Sequence, residues 1–283
     1  MICSMAYCFA HGNDCAIQIA VSVSGSVENF ANLMNKKSNE LGLKNTHFIT
    51  PHGLDEDEHY TTAYELAKIS DYALNIEKIA EVVKTMKYTV QINGYSKTIN
   101  NTNELLGYLD GVKGIKTGFT NGAGRCLVTS VDRNGFNIIT VVLGADSKKN
   151  RTRDSIKLIE YIYSNYELIN IEKMINDEFV KWSNINKNRI KVCKAKKNRI
   201  DIELENSKYK FYPIKKEQIK DLEIKVKNTN TYFEAPVYLN TEVARIEINI
   251  ANKQLIDLKI FINNHIERKN WRDYFKECIN LII

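Results

Sequence analysis

Lys116-Thr117-Gly118 sets an ammonium, a hydroxyl and a position without a side chain in consecutive order. They lie inside VKGIKTGFTNGAG, which holds four of the chain's 13 glycines between Val112 and Gly124. A lysine beside a hydroxyl suits an anion, and a glycine next to them lets another backbone come close. Three readings of this stretch differ in what they require. A phosphate-cradling Walker loop needs glycine directly before the lysine and a helix after it. Here Ile115 precedes Lys116 and the segment runs into β-rich sequence, so the cradle is set aside. A glycine-rich turn ahead of a hairpin accounts for Gly122 and Gly124 and leaves Lys116 unexplained. Half of an active site accounts for all three residues, and requires partners elsewhere in the chain.

Candidate partners occur in a definite order: HGNDCAIQIA from His11, FITPHGLDEDEHYTTAYELA from Phe48, and NNTNELLGYLDGVKGIKTGFTNGAG from Asn100. K-T-G is the last part of a three-part active-site serine signature, after S-x-x-K and an S-x-N-like element. The wording and order resemble the serine-type D-alanyl-D-alanine carboxypeptidases, the low-molecular-mass penicillin-binding proteins, from about Ala10 to Tyr166. GADSKKNRTRDSIKLIEYIY is similar to that family's final catalytic-domain helix. The segment around Ala235-Pro236-Val237 resembles the small domain that follows it, and the amphipathic C-terminus resembles its membrane anchor.

The resemblance implies that Lys116 and Thr117 hold the substrate's terminal carboxylate and that Gly118 leaves room for substrate backbone along a strand edge. It implies that Asn13 bonds the substrate amide and that His11 stands where the family has a proton-relaying serine, a task open to an imidazole near neutral pH. A loop histidine without a role is the alternative for His11. Thr102 is a further cleft candidate. Phe119 is another, for which ordinary packing is the favoured reading. The implied reaction removes the terminal D-Ala of a peptidoglycan stem pentapeptide through an acyl-serine, with no metal and no cofactor. β-Lactams are implied ligands of a full-length parent, which would be extracytoplasmic and membrane-associated.

The nucleophile motif is the departure. S-x-x-K occurs only as Ser207-Lys208-Tyr209-Lys210, after K-T-G and within alternating β sequence. The motif works on a helix, where i and i+3 share a face, whereas on a strand those positions point to opposite faces. Without an activated serine the acyl-enzyme route has no first step. Two explanations remain: a fragment whose start lies upstream, or a non-catalytic relative that keeps a cell-wall peptide-binding cleft. The chain as given is expected to be inactive.

The elements that must position these residues follow from periodicity. The N-terminus is apolar but lacks a basic n-region and is interrupted at His11 to Asp14, unlike a signal peptide. Asp14 is a candidate cap for a helix burying Ala16, Ile17, Ile19, Ala20 and Val23. Val27 to Leu41 reads as a helix with a Phe30, Leu33, Met34 stripe. Thr61 or Thr62 is an N-cap candidate, with Glu65 at capping-box spacing from Thr62. Asn93-Gly94 marks a hairpin, Cys126–Val131 and Phe136–Leu143 form another, and Arg151–Tyr166 is a helix carrying Ile156, Leu158, Ile159, Tyr161 and Ile162. An antiparallel sheet covered by helices follows, an α+β fold of the β-lactamase/transpeptidase type lacking its N-terminal part. Residues 1–168 are assigned to it. Period-two segments then imply a small β-sandwich-like domain over 169–264. Residues 265–283 read as an amphipathic helix for an anionic membrane surface, with Trp271, Phe275, Cys278 or Ile279, and Ile282 on one face.

At 43% apolar and 26% charged the chain reads as globular. From Phe179 to Ile200 there are eight basic residues and no acidic one. Without interleaved aromatics or a recognition motif this reads as a solvated face, with no nucleic-acid partner. The six cysteines show no C-x-x-C and no zinc spacing and read as small buried hydrophobes.

Overall fold

The structure, a computed structural model, describes residues 12–280 apart from Asn93, Asn198, Thr229 and Asn252. It divides into two compact units, with the break between Ser164 and Asn165.

The first unit opens with helices α1 (Asn13–Ser24), α2 (Val27–Glu40), α3 (Ala63–Leu74) and α4 (Glu77–Lys84). Gly12 stands at the N-cap of α1 and Asp14 lies within its first turn, so the cap expected of Asp14 is not made. Its charge still sits where the helix dipole favours it. Of the residues expected inside, Ala16 and Ala20 are buried whereas Ile17 and Val23 are exposed. Likewise α2 buries Ala31 and Ser38, and leaves Leu33 exposed. Thr62 caps α3, accepting from the Glu65 amide at 3.2 Å. The capping box is only half made. The buried Glu65 carboxylate turns away and accepts from the Lys44 and Asn45 amides (2.8 and 3.0 Å) and the Thr46 hydroxyl (2.5 Å).

Strands β1 (Lys87–Ile92) and β2 (Tyr95–Asn100) form the expected hairpin around positions 93–94. β3 (Val112–Thr120), β4 (Gly124–Arg133) and β5 (Phe136–Ala145) make a three-stranded antiparallel sheet in the order β3-β4-β5. Asn134 and Gly135, both at positive φ, turn β4 into β5, as Asn-Gly does in tight hairpins. β4 is central and its alternation feeds both faces. Leu127 and Val131 pack with Ile138 against Ile159 of α5 (Lys148–Asn165). Val128 packs with Ile139 and Val141 against Val83 of α4 and residues of α3. The sheet is thus covered by helices on both faces. The inward stripe of α5 is Arg151, Ser155 and Ile159; Leu158 and Tyr161, expected inside, are exposed.

In the second unit the period-two segments are strands. The main sheet has the order β10 (Leu222–Asn228), β12 (Thr241–Ile250), β13 (Lys253–Ile262), β8 (Ile202–Leu204), all antiparallel. β6 (Tyr166–Asn170) pairs with β9 (Phe211–Lys215), and β7 (Lys191–Cys193) with β11 (Tyr232–Glu234). The unit also contains helix α6 (Ile171–Asn186), which the period-two reading did not include. Asn170 caps it, and Ile171, Ile175 and Trp182 pack into one core with Ile246, Ile248, Ile260 and Ile262. The terminal helix α7 is shorter than expected, spanning Trp271–Asn280. Ile266 and Arg268 instead form β-bridges with Val237 and Ala195, and Ile266 is buried. Ile282 lies outside the described residues.

Candidate active site

The site is assembled from one loop and one strand. In the loop, Asn101 donates to the carbonyls of Val83 and Thr85 at 3.2 and 3.1 Å and accepts from the Asn103 amide at 2.9 Å. Asn103 in turn accepts from the amide of Leu105, which is fully buried. Thr102 is fixed between these two anchors, and its Oγ1 lies 2.7 Å from Oγ1 of the buried Thr117. The half-buried Lys116 donates from Nζ to the Thr117 carbonyl at 2.9 Å. At Gly118 an added Cβ would meet only the Cβ of Cys126, at 3.6 Å, an ordinary contact. Packing against β4 therefore does not demand glycine. The space it leaves counts on the outer edge of β3, with which no strand pairs among the described residues.

Along that edge runs a cleft of about 510 Å³, lined by Asn13, His52, Gly53, Leu54, Thr102, Glu104, Lys116, Thr117, Gly118, Phe119, Arg125, Lys148 and Arg151. Four of these carry positive charge and Glu104 alone opposes them. The Arg125 guanidinium lies 3.6 Å from the centre of the Phe119 ring, a cation–π contact. Arg151 is the exceptional member. Its side chain is 4% exposed, its Nη2 is 3.5 Å from Glu104, and its Nε finds no partner among the described residues. Burial lowers its pKa, with Glu104 opposing and Arg125 reinforcing the shift. An arginine nonetheless remains charged at neutral pH. A buried cation with a spare donor, beside a lysine, a hydroxyl pair and an open strand edge, is suited to a carboxylate carried on a peptide.

The family described as D-alanyl-D-alanine carboxypeptidase matches residues 4–147. This chain belongs to the D-alanyl-D-alanine carboxypeptidase family. DacF of Bacillus subtilis is 40% identical over 159 residues, covering 56% of this chain and 41% of its own length. DacA of Escherichia coli is 29% identical over 272 residues, covering 96% of this chain and 63% of its own length. Among solved structures, penicillin binding protein 5 from Haemophilus influenzae superposes with a TM-score of 0.68 at 25% identity, over 91% of this chain and 71% of that one. Penicillin binding protein 6B from Escherichia coli gives 0.66 at 25% identity, over 91% and 68%. The chain spans less than two thirds of the length of the curated relatives just described.

Of the residues singled out in the sequence, Asn13, Thr102, Lys116, Thr117 and Gly118 all line this cleft. Asn13 does so from the first residue of α1. His11 lies outside the described residues. Phe119, for which ordinary packing was expected, is 49% exposed at the cleft. Ser207 sits in a loop of the second unit, its hydroxyl donating to the Tyr209 carbonyl and accepting the Tyr209 amide. Of the cysteines expected inside, Cys15, Cys126 and Cys193 are half-buried and Cys278 is exposed, all as free thiols. In the basic stretch, Lys181, Lys194, Lys196 and Arg199 each pair with a carboxylate, which dilutes the positive field.

Arg151 was missed by sequence reasoning. The signal was available: Arg151, Ser155 and Ile159 recur at four-residue spacing, so a basic residue falls on the inward stripe of α5. The contributions of His52, Gly53 and Leu54 carried no comparable signal, because loop geometry has no period.

Proposed function

We propose that the cleft of the first unit receives the C-terminus of a peptidoglycan stem peptide ending in D-Ala-D-Ala, as the substrate-holding part of a serine-type carboxypeptidase. The observation that carries this reading is the convergence of Lys116, Thr117 and the buried Arg151 on one cleft beside the open edge of β3. The peptide lies antiparallel or parallel along that edge as an added strand. Its terminal carboxylate meets the Arg151 and Lys116 cations and the Thr117 hydroxyl, which Thr102 orients. Asn13 bonds the preceding amide, and His11 stands in the place of the relay serine. Family membership supports the reaction class.

The residues that line the cleft include no serine, so the described residues supply binding and orientation. Attack on the penultimate carbonyl, with release of D-Ala, requires a serine paired with a lysine in an S-x-x-K motif, and residues 1–164 contain no such motif. A cell-wall peptide-binding role without turnover is therefore the alternative reading. β-Lactams are ligands of the family, as the names of the penicillin binding proteins this chain resembles indicate.

We further infer an extracytoplasmic location, with α7 lying on an anionic membrane surface. No helix among the described residues is long and apolar enough to cross a membrane. α7 buries none of its residues, and Trp271 and Phe275 are 71% and 61% exposed. An exposed aromatic face with Arg272 and Lys276 beside it suits a headgroup boundary.

Isothermal titration with diacetyl-L-lysyl-D-alanyl-D-alanine tests the cleft. Lys116→Ala should weaken binding by about 1.5–3 kcal/mol, the range for a hydrogen bond to a charged group. Unchanged affinity in the folded variant removes the role assigned to Lys116.

A further inference from the structure

Asp55 fastens the two lips of the cleft to each other. Its carboxylate accepts from the Thr120 hydroxyl at 2.5 Å and from the Gly122 amide at 3.1 Å. Thr120 Oγ1 also accepts from the Ala123 amide at 2.9 Å, so the hydroxyl proton is committed to Asp55. A Cβ at Gly122 would stand 3.2 Å from three atoms of the Asp55 carboxylate. A side chain at position 122 would press the carboxylate back by a few tenths of an ångström. These bonds hold the carboxyl below its ordinary range, Thr120 contributing most and Gly122 next, so it is anionic at neutral pH.

The placement gives the contact its consequence. Leu54 lines one side of the cleft and directly precedes Asp55; Phe119 lines it too and directly precedes Thr120. Both are apolar and nearly half exposed. The clamp therefore grips each lip one residue beyond the opening. The base of the same loop is held independently. His47 and Tyr60 exchange backbone bonds at 2.9 and 3.1 Å, and His59 Nδ1 accepts the Ile49 amide at 3.0 Å. Releasing Asp55 frees the lip without unravelling the loop.

We propose that Asp55 is a positioning and specificity-determining residue: by pinning Leu54 relative to Phe119 it sets the size of the terminal residue that the cleft admits. This rests on the reading of the cleft as the site of a D-Ala-D-Ala terminus. A fixed lip favours a terminal methyl over a larger side chain, and a loosened lip does not.

The test uses the full chain, Asp55→Asn, Thr120→Val and the double variant. Thr120→Val leaves the carboxylate and its Gly122 bond in place and removes the hydroxyl that bonds Asp55 and accepts from Ala123, so a folding defect peculiar to Asp55→Asn does not decide the outcome. Amide hydrogen exchange should accelerate at Leu54 and Gly122 in every variant and stay unchanged at His47 and Tyr60. Isothermal titration compares diacetyl-L-lysyl-D-alanyl-D-alanine with the analogue ending in D-leucine. The wild type should prefer D-alanine by about tenfold or more, the scale on which pockets discriminate a few methylenes. The single variants should bring that ratio near unity, and the double variant should match them, because both act on one contact. Wild-type exchange at Leu54 and Gly122 in Asp55→Asn and Thr120→Val overturns the clamp. Faster exchange with an unchanged peptide ratio overturns the specificity role. If the wild type binds neither peptide, the substrate reading fails and the specificity role with it, while the exchange data still decide the clamp.

Discussion

Replacing Arg151 by methionine separates a binding role from a structural one, because the two predict opposite signs. The Arg151 side chain is 4% exposed, its pairing with the half-exposed Glu104 is loose at 3.5 Å, and Nε has no partner among the described residues. A methionine keeps most of the buried stem. Removing one partner of a buried ion pair is costly when it strands the other as a buried charge, but Glu104 is 52% exposed and stays solvated, so the exchange removes the desolvation cost of Arg151 and should be neutral or stabilising. Binding should move the other way. Two unit charges about 4 Å apart attract by about 4 kcal/mol at an effective dielectric near 20, and a charge-assisted hydrogen bond is worth about 1.5–3 kcal/mol net. The lower range corresponds to roughly 10- to 150-fold in Kd. The assay is calorimetric titration of diacetyl-L-lysyl-D-alanyl-D-alanine and of its C-terminal amide, with thermal unfolding of both proteins. Wild type should favour the acid over the amide. Arg151→Met should lose most of that preference while melting at the same temperature or higher. A variant that keeps the full acid preference, or one that melts well below wild type, refutes the reasoning.

The chain should form no covalent adduct with a fluorescent penicillin, since its only S-x-x-K lies in a loop of the second unit; a stoichiometric labelled band after denaturation would reveal a missed nucleophile. Glu65→Gln should be less stable than wild type at pH 7, and the difference should shrink as pH falls below about 4.3, the unfolded carboxyl value. The Thr46 hydroxyl and the Lys44 and Asn45 amides depress the folded carboxyl, so its stabilisation is complete above the unfolded value and is lost as pH falls through the folded one. Equal differences at pH 7 and pH 3 in thermal unfolding contradict this. Deleting residues 271–283, which spares the bridges of Ile266 and Arg268, should abolish co-sedimentation with anionic liposomes, to which each basic residue near the surface adds about 1 kcal/mol; equal binding with and without the segment rules the anchor out.

Legibility in the sequence tracked how local each determinant is. Asn93-Gly94 and the Asp132–Gly135 turn declared their hairpins because two residues fix the chain reversal. Thr62 declared its helix because a cap acts on the next turn. Glu65 looked like its capping-box partner and is not, because three donors from the segment Lys44 to Thr46, supplied by the tertiary fold, outcompete the N-cap amide. K-T-G identified the strand and its charge, since consecutive residues carry both. Asp55 required the third dimension, whereas the spacing of Arg151, Ser155 and Ile159 already placed Arg151 on an inward stripe and left only its destination to the fold. Arg151 reaches the cleft from a helix that closes the unit, and Asp55 meets Thr120 across 65 residues of chain. α6 was hidden for another reason: attention to alternation after Tyr166 passed over the helical spacing of Ile171, Ile175 and Trp182. The Ile17 and Leu33 stripes predicted burial that the described residues do not provide, since an apolar face specifies that it wants a partner and not which one.

The central claim is that the edge of β3 holds a peptide with a D-Ala-D-Ala carboxyl terminus, and amide chemical shifts on titration address it most directly. Diacetyl-L-lysyl-D-alanyl-D-alanine added to the nitrogen-15-labelled chain should shift the amides of Asn13, Thr102, Lys116 to Phe119 and Arg151, and leave the second unit unmoved. The all-L stereoisomer should shift them far less at the same concentration. Equal shifts with both stereoisomers, or a response centred away from β3, would contradict the account.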